Sequence, residues 1–152
     1  MKAGQGTARG RQGLLATMAL LTACNAPDTT SQRPPVPPQL VAHAELPFGD
    51  AVSARITRAS TAVRDLLEPR WGALESRIYT VSAARRAELL QQFPATLPPG
   101  FTMLDMRDFP EDRGTLHAFA NGKILYALLL VKDAGETGDS PAVLFDNLNS
   151  PN

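Results

Sequence analysis

The strongest constraint on the fold is an unbroken apolar run over residues 124–131, which reads Ile-Leu-Tyr-Ala-Leu-Leu-Leu-Val. A run of this length without alternation is typical of a strand that is buried on both faces of a sheet. It follows Asn121-Gly122, a dipeptide favoured in tight type I′ hairpins because both residues tolerate positive φ. The sequence therefore predicts a hairpin in which residues 115–119 pair with a central strand formed by the run.

Two helices are predicted upstream of this hairpin. The first covers 51–67, where Asp50 provides an N-cap, apolar residues recur on one face and Pro69 marks the end. The second covers 83–93, with Ser82 as its N-cap. Three arginines on the polar face of the first helix are interpreted as a solvated face, with a basic binding stripe as the alternative: Arg55, Arg58 and Arg64.

Short segments rich in β-branched or apolar residues predict the rest of a sheet. The predicted strands are 76–81, 101–106, 115–119, 124–131 and 142–145. Together with the helices, the order along the chain is helix, strand, helix and then four strands. We therefore expect an α+β fold, with a mainly antiparallel sheet of about five strands and the two helices packed on one face.

The N-terminal residues have the composition of an export signal. Residues 1–12 carry Lys2, Arg9 and Arg11 but no acidic residue, and an apolar stretch at 14–21 follows. A basic start, a short apolar stretch and small residues after it form the pattern of a signal peptide. The apolar stretch is shorter than the roughly 20 residues that a membrane-spanning helix needs.

The end of this segment, Leu21-Thr22-Ala23-Cys24, resembles the lipobox of bacterial lipoproteins. The resemblance implies cleavage between Ala23 and Cys24, a diacylglyceryl group on the thiol of Cys24, and acylation of its new amino group by a fatty acid such as palmitate. More than one acyl chain gives stable anchoring in a membrane. The next residue is Asn25 rather than aspartate, which by the same resemblance implies the periplasmic side of the outer membrane.

Two other interpretations of Cys24 stay open from the sequence. The segment also fits a secretory signal that ends at a small-residue cleavage site and receives no lipid. Alternatively, Cys24 is a buried cysteine in an N-terminus that is not cleaved. The joint order of basic residues, apolar stretch and lipobox favours the lipoprotein interpretation over both.

On that interpretation the chain divides into four parts. Residues 1–23 are the signal peptide, 24–41 the lipidated cysteine with a proline-rich tether, 42–148 one globular domain and 149–152 a tail. Proline fixes φ and lacks a backbone donor, so the tether is expected to be semi-rigid and to hold the domain up to about 50 Å from the bilayer. A docking motif for a proline-reading partner is the alternative for this stretch.

The charge balance excludes some classes of partner. The full chain has 15 basic and 15 acidic residues, and removal of residues 1–23 takes away Lys2, Arg9 and Arg11 and leaves 12 basic against 15 acidic residues. This balance argues against a nucleic-acid-binding protein and against electrostatic attraction to an anionic membrane surface. The expected partners are the membrane, through the lipid on Cys24, and a protein of the cell envelope.

The predicted domain contains few motifs that are typical of catalytic, phosphate-binding or metal-binding sites. The sequence contains no Gly-x-Ser-x-Gly motif, no His-Glu-x-x-His motif and no phosphate-binding glycine loop. The acidic loop at 105–113 lacks the spacing of a calcium-binding loop, and the single Cys24 excludes a multi-cysteine zinc site. We therefore predict no metal site, no cofactor and no evident catalytic site. A small binding or assembly domain is the first hypothesis.

The alternative hypothesis is an envelope hydrolase or glycan-binding enzyme. It uses His117 with Asp105 or Asp108, because an imidazole beside a carboxylate is a common general base. This hypothesis requires that the histidine and an aspartate share a concave pocket rather than lie on a flat sheet face.

Overall fold

A computed structural model describes residues 33–132 and 138–149 of the chain. Within these residues, the two helices are α1 (Asp50–Trp71) and α2 (Arg86–Gln92), and the strands are β1 (Glu75–Ser82), β2 (Thr102–Met103), β3 (Gly114–Asn121), β4 (Ile124–Val131) and β5 (Asp139–Asp146). Short 3-10 helices, Ala83–Arg85 and Phe93–Thr96, flank α2. The predicted α+β class with a five-stranded sheet is confirmed.

The strands form one antiparallel sheet in the spatial order β1-β5-β4-β3-β2. Strand β4 lies at the centre, and every residue of it after Ile124 is buried. The central strand predicted from the apolar run is thus confirmed. Strand β5 is longer than the predicted 142–145 and is almost fully buried as well.

The hairpin loop between β3 and β4 lies one residue further along the chain than predicted. Asn121 pairs with Ile124, so the loop consists of Gly122 and Lys123. Gly122 takes the positive φ of 57°. Glycine adopts this conformation without the steric cost that asparagine has, which explains why the turn is centred on it.

The two helices lie on opposite faces of the sheet rather than on one face as expected. Helix α1 packs on the face that includes Leu129, whereas Leu89 of α2 packs on the face that includes Leu128. These two residues are neighbours in β4, and adjacent side chains of a strand point to opposite sides. Because β4 and β5 are apolar on both faces, each face needs its own cover.

Helix α1 is longer than predicted. It begins after Gly49 and ends at Trp71, with Asp50 in its first turn rather than at the N-cap and Pro69 inside its last turn. The helix ends at Gly72, which has φ 81°. Glycine at positive φ is a common helix terminator, so the stop lies there rather than at the proline.

The predicted helix 83–93 and the predicted strand 101–106 are both interrupted. Ser82 makes no side-chain cap bond, and only the middle of the helical segment is α-helical. Strand β2 has two residues, after which Leu104 and Met106 pack against the core on the α1 side. The apolar side chains of this segment do not alternate, so a straight strand would leave some of them exposed.

Residues 33–41 pack on the domain, although the sequence predicts a tether through residue 41. Val41 forms a β-bridge with Thr80, and both Gln39 and Leu40 are buried. An extended proline-rich chain is compatible with this packing, because its backbone makes no internal hydrogen bonds and is free to bond to a neighbour. The folded domain therefore includes residue 33.

An ion cluster around a buried carboxylate fixes this segment to the end of the sheet. Asp146 is only 1% exposed and accepts hydrogen bonds from Arg33 Nε at 3.0 Å and from Arg77 Nη2 at 3.3 Å. Arg33 also pairs with Glu75 at 2.7 Å. Burial, with a smaller contribution from the charge of Asp146, raises the pKa of Tyr126 to about 12.

The C-terminal end of the domain is held by Asn147. Its side chain accepts the backbone N–H of Leu125 at 2.9 Å and donates to the carbonyl oxygens of Trp71 at 2.8 Å and Lys123 at 2.7 Å. One amide thus joins α1, the hairpin loop and β4. In the predicted tail, the side chain of Asn149 donates to Glu75 at 2.7 Å, and residues 150–152 lie outside the described residues.

Candidate binding cleft

A cleft of about 1010 Å³ lies beside β3, between α2 and the segment 104–113. Its apolar lining includes Phe109 and Leu116, which belong to the core on the α1 side. Its charged and titratable lining residues are Arg86, Asp105, Arg107, Glu111, His117 and Lys132. Ligand sites usually combine apolar walls with a few polar groups in this way.

The cleft forms because β2 covers only part of the edge of β3. The two residues of β2 pair with Ala120 and Phe119, at the end of β3 nearest the hairpin loop. Leu104 adds one more contact through its N–H, which donates to the carbonyl oxygen of Ala118 at 2.8 Å. The chain then turns toward the α1 side, where Phe109 is buried. The first half of β3 is left as an open sheet edge.

The register of the hairpin determines which backbone groups point toward this edge. Asn121 and Ile124 flank a two-residue loop, and such residues form a hydrogen-bonded pair. Hydrogen-bonded and non-hydrogen-bonded pairs alternate, so Leu116 directs its N–H and C=O away from β4. The same alternation directs the carbonyl of Ala118 away from β4, where it accepts the N–H of Leu104. Among the described residues, Leu116 has no backbone partner on its outer side.

His117 lines the cleft from the α2 side of the sheet. Burial lowers the pKa of its imidazole, which favours the neutral form. Its Nε2 atom is buried and has no hydrogen-bond partner within the described part of the chain. A neutral imidazole with an unused nitrogen can donate to or accept from a polar group of a ligand, depending on its tautomer.

Arg86 also lines the cleft and carries a second buried nitrogen that has no partner among the residues described. Its Nη2 atom donates to the hydroxyl of Ser140, whereas its Nε atom is buried without a partner in residues 33–132 and 138–149. An unsatisfied buried donor costs free energy. A ligand acceptor that reaches either nitrogen recovers part of that cost, which makes the two residues candidate ligand contacts.

The His–Asp pair of the enzyme hypothesis is not formed. Asp105 lines the cleft with His117, but its carboxylate pairs with the guanidinium of Arg107 and accepts the backbone N–H of Arg107 at 3.1 Å. These bonds lower the pKa of the Asp105 carboxyl. Asp108 is not among the residues that line the cleft. The fold therefore brings His117 and Asp105 into one concavity without joining them.

Among the residues that the structure describes, basic side chains outnumber acidic side chains around the cleft. A smaller pocket of about 150 Å³ adjoins it and shares Val131 and Lys132 with it. Across the two pockets the basic residues are Arg55, Arg58, Arg86, Arg107, Arg113 and Lys132, and the acidic residues are Asp105, Glu111 and Asp112. This patch, which we call the basic patch, favours an acidic ligand although the predicted mature chain is acidic.

The basic patch was only partly visible in the sequence. Arg55 and Arg58, interpreted as a solvated helix face, lie in it, whereas Arg64 bonds to the hydroxyl of Ser76 at 2.9 Å, away from the cleft. Arg86 and Lys132 carry no motif and come from distant parts of the chain. Only the tertiary fold brings them together.

The predicted lipobox cannot be compared with this geometry. Leu21, Thr22, Ala23 and Cys24 lie outside the described residues, as does the predicted signal peptide. Where residues are described, no group of three or more His, Cys, Asp or Glu side chains is arranged to hold a metal ion. In the same part of the chain, no helix combines the length and apolarity needed to cross a bilayer.

Comparisons with known proteins give no relative from which to take a function: the chain matches no protein-family model, no curated protein and no solved structure.

Proposed function

We propose that the chain is an envelope lipoprotein, anchored through Cys24 on the periplasmic side of the outer membrane, whose single domain binds a partner in the cleft beside β3. The observation that carries the proposal is the lipobox, Leu21-Thr22-Ala23-Cys24, behind a basic N-terminus and a short apolar stretch. The lone cysteine of the chain lies at the position that the lipid requires.

The layout of the domain supports a binding role at a membrane. Arg33 contacts Glu75 and Asp146, the first residue of β1 and the last residue of β5. The cleft lies beside Gly114 and Lys132, at the opposite end of β3 and β4. The chain thus enters the sheet at one end, and the cleft opens toward the other. An anchored domain with this layout presents its cleft away from its point of attachment.

The link between anchor and domain is shorter than the sequence suggests. Nine residue steps separate Cys24 from Arg33, and at about 3.6 Å per step they span at most about 32 Å. The expectation of about 50 Å treats the whole stretch 25–40 as free chain. A domain kept this close to the bilayer, with its cleft on the far side, meets partners that lie beneath the membrane on the periplasmic side.

The anchor is tested with Cys24→Ala in the producing cells, with metabolic labelling by palmitate and membrane fractionation as readouts. We expect the variant to lose the label and to leave the membrane fraction, because the lipid supplies the attachment. Thr30→Ala, a substitution outside the lipobox, serves as the matched control and should retain both. Continued membrane association of the unlabelled Cys24→Ala variant would contradict the proposal.

A hydrolase or glycan-binding enzyme is the second candidate, because His117 and Asp105 line the same cleft. A ligand that displaces Arg107 would free the Asp105 carboxylate for the imidazole. On this hypothesis His117→Ala abolishes an activity on peptidoglycan or ester substrates without lowering the melting temperature. The wild-type chain's inactivity on both substrate classes would count against it.

A further inference from the structure

We infer that the cleft binds an extended, acidic peptide segment, which pairs through its backbone with the open edge of β3 at Leu116. This inference rests on the proposed binding role of the cleft and gives that role a ligand class. Extended peptides commonly bind by adding a strand to an exposed sheet edge, where main-chain hydrogen bonds supply affinity.

The first argument is the unused backbone of the edge. Leu116 directs its N–H and C=O outward, and no backbone group of the described residues meets them. The carbonyl of Ala118, the next outward residue, is already used by Leu104. A bound strand therefore pairs with β3 from the point where β2 ends. It follows the same line along the sheet.

The second argument is the shape of the surroundings. Exposed sheet edges invite association with other sheets, and proteins usually cover them. Here α2 stands on one side of the edge and the segment 104–113 on the other, so the edge lies at the bottom of a groove. A single chain needs less room between two such walls than a whole sheet does. The open part of β3, residues 114–117, has room for about 13 Å of strand.

The third argument is the difference between the two walls. Leu116 and Phe109 lie on the α1 side and are apolar, whereas His117 and Arg86 lie on the α2 side and each carry a buried nitrogen without a partner in the described chain. Side chains of a bound strand alternate between these walls. The groove therefore fits a peptide in which apolar residues alternate with residues that carry hydrogen-bond acceptors.

The fourth argument is charge. Within residues 33–132 and 138–149, the basic patch contains six basic and three acidic residues, and Lys132 belongs to both of its pockets. Carboxylates are acceptors that complement both the net charge and the unpartnered nitrogens. The acceptor-bearing residues of the peptide are therefore aspartate or glutamate.

The test uses the full-length chain in detergent and a peptide of about eight residues that alternates glutamate and valine. We expect it to bind at least about tenfold more tightly than a peptide that alternates lysine and valine. N-methylation of every second backbone amide of the glutamate peptide should weaken binding about tenfold or more, because it removes main-chain donors. Equal binding of the N-methylated peptide would show simple charge attraction and overturn the inference.

Two lysines provide a matched pair of variants. Lys132→Glu places a negative charge in the basic patch and should weaken binding about fivefold. Lys123→Glu makes the same change in the hairpin loop, at the other end of the sheet, and should leave binding unchanged. Equal effects of the two substitutions would contradict the location of the site.

Hydrogen exchange at single amides gives a readout that does not depend on any variant. The bound peptide should slow exchange of the Leu116 amide at least about tenfold, because its N–H gains a partner. Unchanged exchange at Leu116 with saturating peptide overturns the inference. Failure of these peptide experiments leaves the Cys24→Ala result unaffected, so loss of this inference and loss of the anchoring proposal are distinguishable.

Discussion

Arg33 and Asp146, 113 positions apart in the chain, form a two-pronged ion pair in which Arg33 Nε and Nη2 donate to the two carboxylate oxygens at 3.0 and 3.1 Å. Parallel bonds of this kind are stronger and geometrically more specific than single ones. The pair joins the start of the described chain to the last residue of β5. It places Arg33 inside the folded domain, ahead of the boundary that composition indicates.

Removal of the buried carboxylate should destabilise the domain. Asp146→Ala leaves Arg33 and Arg77 without their main acceptor, and we expect a loss of about 2–3 kcal/mol in the free energy of unfolding. Both arginines are partly exposed, so water offsets part of the cost. Denaturant unfolding at neutral pH measures the change. Asp108→Ala, on an exposed aspartate, is the control and should stay within about 0.5 kcal/mol of the wild type.

Deletion of the segment that the sequence assigns to a tether should also lower stability. A chain that begins at residue 42 lacks Arg33 and the buried side chain of Leu40, and we expect it to lose about 3 kcal/mol or more. A chain that begins at residue 33 is the control and should unfold like the mature protein. Equal melting temperatures of the two truncated chains would show that residues 33–41 contribute nothing to the fold.

Gly114 occupies a position that only glycine tolerates. Its φ is 145°, and a β-carbon built there would lie 2.2 Å from the carbonyl oxygen of Leu130 in β4. Gly114→Ala should therefore cost about 3 kcal/mol or more, because the backbone must shift at the start of β3. Gly49→Ala is the comparison, since nothing lies within 4 Å of that position, and it should cost about 1 kcal/mol or less. Circular dichroism melting curves distinguish the two.

The pH dependence of stability should carry a contribution from His117. Its pKa in the folded state is lowered from 6.5 by burial, so below that value the unfolded chain binds the proton more readily. The resulting stability is present above the unfolded pKa and is lost as pH falls through the folded pKa. His117→Gln should flatten this part of the profile in denaturant unfolding from pH 8 to pH 5. Identical slopes for the two chains would contradict the burial of the ring.

Sequence patterns predicted the centre of the fold better than its borders. The run over 124–131 is apolar at every position and so indicates a central strand whatever its neighbours are. The same run indicates that both faces need cover, but it does not say which helix covers which face, because amphipathic helices of similar pattern pack equally well on either one. The sequence predicts a tether over 24–41 because proline prevents regular structure, although proline does not prevent residues 33–41 from packing on the domain.

The cleft could be predicted only in part. His117 and Asp105 were both candidates, and they do line one concavity. The cleft itself depends on how early β2 ends, which is decided by where Leu104 and Met106 find apolar cover. Arg86 and Lys132 are unremarkable in the sequence and acquire their importance from the position of α2 and the end of β4.

The opposite placement of Arg33 and Leu116 has a mechanical consequence. If the chain is held from the membrane at Arg33 and from a partner at Leu116, tension runs obliquely over the sheet. Leu116 lies three residues along β3 from Phe119, which is level with Asp146, and it is two strands away from β5. The hydrogen bonds that join β5, β4 and β3 are then loaded partly in shear along the strands, instead of only being peeled apart one after another. A sheet attached in this way transmits force between the bilayer and the partner that is bound at the edge of β3.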